Sequence, residues 1–82
     1  MKIYHMTYDS DRRPISGSTP TDIVRALKMQ WSSGLTNRQY MKAFKERAIA
    51  LKATDAHTIR INSAKNFIED LERIGILTPV EV

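Results

Sequence analysis

From Thr36 to Ala53 the large apolar residues and alanines recur at helical spacing: Tyr40, Met41, Phe44, Ala48 and Leu51. At about 100° per residue they gather on one side of a helix. Arg38, Lys42, Lys45 and Lys52 gather on another side, with Ile49 among them. The spacing predicts a helix over 36–53 that completes a core with one face and offers positive charge on another. Its start is marked by Thr36-Asn37-Arg38-Gln39, a capping box in which the hydroxyl and the amide bond reciprocally to each other's backbone N–H.

Two further helices read from the same period. Thr19-Pro20-Thr21-Asp22 opens the first: the Thr caps, Pro suits the first helical position, and Asp meets the free N–H groups. Ile23, Val24, Leu27 and Trp31 form its apolar face, and Ser32-Ser33-Gly34 ends it. The link to the central helix is so short that the two must be neighbours. Asn62 or Ser63 caps the third helix, with Ala64, Phe67, Ile68, Leu71 and Ile74 inward, Gly75 at its end and Ile76 folding back.

Strands are expected in three places. Lys2 to Tyr8 alternates, with Tyr4, Met6 and Tyr8 on one side and Ile3, His5 and Thr7 on the other. Thr58-Ile59-Arg60-Ile61 alternates more briefly after the polar break at Thr54–His57. The tail from Ile76 to Val82 has strand composition, but Pro79 confines it to a sheet edge or an irregular arm. Asp9 to Thr19 reads as a loop pinned to the core by Ile15. The order is β-α-α-β-α with a final β, and the fold class is α+β: three helices packed with a small sheet of two or three short strands.

Composition narrows the function classes. Eighty-two residues make one domain, spanning 1–82, with a modest core. A buried catalytic cavity would remove much of that core, so an enzyme is disfavoured. Cysteine is absent, which excludes disulfides and thiolate metal sites and fits a reducing compartment. No apolar run is long enough to span a membrane, and the first residues are too polar for a signal peptide. The expectation is a cytoplasmic protein without a membrane partner.

Charge is placed unevenly. Residues 36–53 carry Arg38, Lys42, Lys45, Arg47 and Lys52 against Glu46 alone, whereas residues 63–82 carry Lys65 and Arg73 against Glu69, Asp70, Glu72 and Glu81. A solvated helix face is the simplest account of the basic stripe. A polyanion or an acidic protein is the sharper one.

Candidate chemistry is sparse. His5 and His57 have no ligand partners at metal-binding spacing, and they would meet only if their strands paired. Asp9 and Asp11 read as turn formers. Glu69, Asp70 and Glu72 read as a solvated outer face, with Glu69 and Arg73 spaced for a helical ion pair. Ser16-Gly17-Ser18 fits neither a nucleophile elbow nor a phosphate loop. The Ser18-Thr19 helix entry could hold an anion near Arg12 and Arg13, as could most helix starts. No catalytic, cofactor or metal residue is assigned.

Gly34-Leu35-Thr36 before a basic helix has the order of a helix-turn-helix turn, with Arg38, Gln39 and Lys42 where base edges are met. Gln30, however, stands where such motifs want a small residue. An ordinary helical hairpin accounts for the same residues. Trp31 and Tyr40 are the aromatics nearest that corner, suited to a binding anchor but favoured as core. The terminal strands could extend a partner's sheet or pair across a dimer. The sequence thus predicts a non-enzymatic interaction or regulatory module that binds another protein or a second copy of itself. The alternative is a nucleic-acid binder using Arg38, Lys42, Lys45 and Lys52.

Overall fold

The computed structural model describes residues 2–7, 14–31, 34–53 and 55–80. Strand β1 (Lys2–Met6) runs between β2 (Ile15–Gly17) and β3 (Leu77–Pro79), antiparallel to both. Helices α1 (Pro20–Trp31), α2 (Asn37–Ala50) and α3 (Ala64–Arg73) complete the α+β fold. A single 3-10 turn, Ala56–Thr58, joins α2 to α3. The expectations for Tyr8, Asp9, Asp11, Arg12, Arg13, Ser32, Ser33, Thr54, Glu81 and Val82 fall outside the described residues.

The helix starts are those the sequence predicts. Thr19 Oγ1 accepts from the N–H of Asp22 at 3.2 Å. In α2 the Gln39 N–H donates to Thr36 Oγ1 at 3.2 Å while Gln39 Oε1 accepts from the Thr36 N–H at 2.9 Å, so both halves of the capping box form. Ser63, not Asn62, caps α3, through Asn66 N–H to Ser63 Oγ at 3.1 Å.

The ends of α2 and α3 share one device. Gly75 N–H donates to the Glu72 carbonyl and Ile76 N–H to the Leu71 carbonyl. Likewise Lys52 N–H donates to Ile49 and Ala53 N–H to Ala48. Both are Schellman ends, which need a left-handed residue. Gly75 takes it at φ 88°, and Lys52, with a Cβ, takes it at φ 57°. The helix expected over 36–53 therefore ends at Ala50, with Leu51 as its cap.

The second strand lies elsewhere than expected. Ile15–Gly17 pairs with β1, and Thr58–Ile61 forms no strand, so the elements run β-β-α-α-α-β. The cause is local. Asp70 of α3 accepts from the Arg60 backbone N–H at 2.8 Å and from its guanidinium at 3.0 and 3.1 Å. That carboxylate occupies a donor a strand partner would need. Ile59 is still fully buried. Asp70, expected on a solvated face, is 3% exposed. Arg73 Nη2 lies 3.6 Å from Asp70 and donates to Thr58 Oγ1 at 2.8 Å, in place of the expected bond to Glu69. Arg60 reaches Glu69 at 3.7 Å instead.

Helices α1 and α3 lie on the sheet, and α2 packs on α1 and on the 3-10 turn. Tyr4, Ile15, Val24, Leu27, Ile59, Phe67, Leu71 and Leu77 sit at the centre of one buried cluster. Gly17 lets β2 approach α1: a Cβ there would meet the Asp22 Cβ at 2.6 Å. The sheet edge at β3 is blunted. Thr7 N–H bonds the Ile76 carbonyl and Val80 N–H the Ile3 carbonyl, so antiparallel alternation turns the nitrogen of Pro79 outward. That nitrogen carries no hydrogen.

Candidate functional site

Two surfaces of α2 and one hollow beside the sheet are the places where the described residues present chemistry to solvent. The first surface is the basic stripe. Arg38 and Lys42 are exposed, and Lys45 is half-buried, on successive turns of α2. Lys52 is exposed but lies past the helix cap, so it does not continue the ladder. Among the described residues the ion pairs are those of Arg60 and Arg73, and none involves a cation of α2. Ile49, 46% exposed, interrupts the stripe.

The second surface lies roughly 140–180° round the same helix. Two adjoining hollows, of about 290 and 420 Å³, share Met6, Phe44 and Arg47 as walls. Leu27, Gln30, Trp31 and Tyr40 close one end, and Ala48, Leu51, Ala53 and Ile76 close the other. The result is one groove between α2, the end of α1 and the end of the sheet. Its floor is aromatic. Tyr40 stands edge-on to Trp31 at 5.6 Å and to Phe67 at 6.4 Å, and Phe44 edge-on to Phe67 at 5.7 Å. Burial pushes the Tyr40 phenol well above its ordinary titration range, so it stays a neutral wall.

The rims of this groove differ from expectation. Trp31 was expected in the core, but as the last residue of α1 it packs one edge on Tyr40 and is 48% exposed. Leu51 was expected on the core face, but as the cap of α2 it is 71% exposed. Arg47 is exposed at the boundary of the two hollows and, among the described residues, is the one charged side chain lining them. The sequence carried the signal: Tyr40, Phe44, Arg47 and Leu51 fall at i, i+4, i+7 and i+11, one helical stripe.

The hollow beside the sheet, about 350 Å³, gathers Lys2, Tyr4, Lys65, Glu69 and Glu72 around the Ser18-Thr19 entry to α1. Tyr4 donates to Glu72 at 3.4 Å, and its phenol is raised by burial and then by the Glu72 charge. A raised phenol keeps its proton at neutral pH. Glu69 and Glu72 are exposed, and Glu69 is drawn toward Arg60. Thr19 Oγ1 is engaged as a helix cap. Among the described residues the Tyr4 phenol is the one hydroxyl of this hollow seen on a carboxylate, and at 3.4 Å that bond is long.

No family model, no curated protein and no solved structure matches this chain.

The remaining sequence candidates disperse. His5 is half-buried on the central strand, and His57 is exposed in the 3-10 turn, so pairing of strands does not bring them together. Among the described residues no cluster of three or more His, Asp or Glu could hold a metal ion. Nor is any helix among them long and apolar enough to cross a membrane.

Proposed function

We propose that this chain is a small non-enzymatic interaction module of the cytoplasm that docks another protein in the groove between Trp31 and Leu51. The observation that carries the reading is the pair of adjoining hollows, walled by apolar side chains and flanked by two large residues left 48% and 71% exposed. Half-exposed aromatics beside a concave apolar surface are the usual anchors of a protein interface.

The test compares proteins captured from the source cell by the wild-type chain and by a Trp31→Ser/Leu51→Ser variant. Both side chains already face water, so the fold is expected to persist, as circular dichroism would verify. A partner held by the wild type and lost by the variant supports the groove. An identical set of partners counts against it.

The open basic stripe favours a second reading, in which Arg38, Lys42 and Lys45 meet nucleic acid with Lys52 alongside. Each neutralised phosphate releases counterion, so affinity for a duplex oligonucleotide should fall steeply between low and moderate salt. It should fall again in Lys42→Glu/Lys45→Glu. Binding that is flat with salt removes this reading.

A further inference from the structure

Resting on the groove reading above, we infer that the occupant is an acidic, apolar segment of a different protein, with a carboxylate that meets Arg47. The argument is one of charge. Among the described residues Arg47 is the sole charged side chain of the groove, and it stands where the two hollows join. Among the described residues no carboxylate pairs with it. A guanidinium set among apolar walls, with no partner among the described carboxylates, matches a carboxylate in a bidentate fork. Walls of Trp31, Phe44, Leu51 and Ile76 on either side require apolar neighbours of that carboxylate.

The same charge argues against the alternatives. A second copy docked groove to groove about a twofold axis would bring Arg47 toward its own equivalent, and each copy carries a net charge of +4. Nucleic acid offers the phosphates but not the apolar side chains, and the stripe suited to it lies on the far side of α2. The surplus of positive charge also steers an acidic partner in from solution. From Tyr40 to Leu51 the wall is about 16 Å long, which suits about three turns of helix or five residues of strand.

The experiment selects peptides from a random 12-residue phage library on the intact chain and measures the winners by fluorescence anisotropy. The expected winners carry two or more large apolar residues and an Asp or Glu. Arg47→Glu should weaken them by roughly tenfold or more, and replacing the peptide's acid by Lys should restore affinity for that variant. Winners without an acid, or winners indifferent to Arg47→Glu but lost in Trp31→Ser/Leu51→Ser, overturn the acidic partner and leave the groove standing. Winners indifferent to Trp31→Ser/Leu51→Ser overturn the groove itself. A dimer seen by sedimentation that Leu51→Ser abolishes would assign the groove to a second copy and overturn the inference.

Discussion

Lys52 and Gly75 occupy the same place in the same helix ending, yet only one has a Cβ. A left-handed conformation costs an L-residue about 1–2 kcal/mol, less what its stiffness saves in the unfolded chain. Lys52 has a compensation, since a cation past a helix C-terminus meets the negative end of the dipole. The balance still favours glycine. Lys52→Gly is expected to stabilise the fold by roughly 0.5–1 kcal/mol in urea denaturation. A loss of stability would mean that the Lys side chain contributes more than the dipole argument gives it. The sequence marked Gly75 as a helix end because glycine advertises the conformation. Lys52 advertises nothing, and the helix was expected to run past it.

At the scale of elements, capping was legible because a cap is decided within four residues: Thr36 with Gln39, Thr19 with Asp22, Ser63 with Asn66. The strands were not, because a strand is decided by a partner far along the chain. Ile15-Ser16-Gly17 and Ile59-Arg60-Ile61 are equally short. What separates them is Asp70, which claims the Arg60 backbone for α3. Its reading as a solvated acid followed from its charged neighbours, Glu69 and Glu72, and missed the partner ten residues earlier. Arg60 hydrogen bonds, and after them the backbone bond and the charges of Arg60 and Arg73, outweigh burial and hold its carboxyl below the ordinary 3.8. A lowered carboxyl stabilises the fold above its unfolded value and stops doing so as pH falls through the folded one. Asp70→Asn should therefore cost about 2 kcal/mol near neutral pH, and the gap should close as the wild type is acidified below 3.8. Urea midpoints measured across the acid range decide it. A gap that persists unchanged to the lowest pH would show that shape, not charge, makes this clamp.

For the molecule as a whole, the sequence supplied the class and the single core, and it located the basic stripe. It did not locate the groove, because a concavity belongs to no one element: α2 supplies one wall, the end of α1 another, and Met6 at the end of β1 with Ile76 just before β3 a third. The sheet's outer edge bears on how the molecule behaves among copies. With Pro79 facing outward, β3 offers no donor at that position to a neighbouring chain. Pro79→Val restores that donor and is expected to raise concentration-dependent association in light scattering. A variant that stays as monodisperse as the wild type would assign the protection to the shortness of β3 instead.

The pairing of β1 with β3 sets Ile3 beside Val80 at one end of the sheet and Met6 beside Leu77 at the other. Lys2 and Val80 thus share a corner about 13 Å from the groove end, at a strand's rise per residue. A fluorophore attached at Lys2 or at Val80 therefore sits at that one corner, with Met6 and Leu77 at the opposite end of the strand pair.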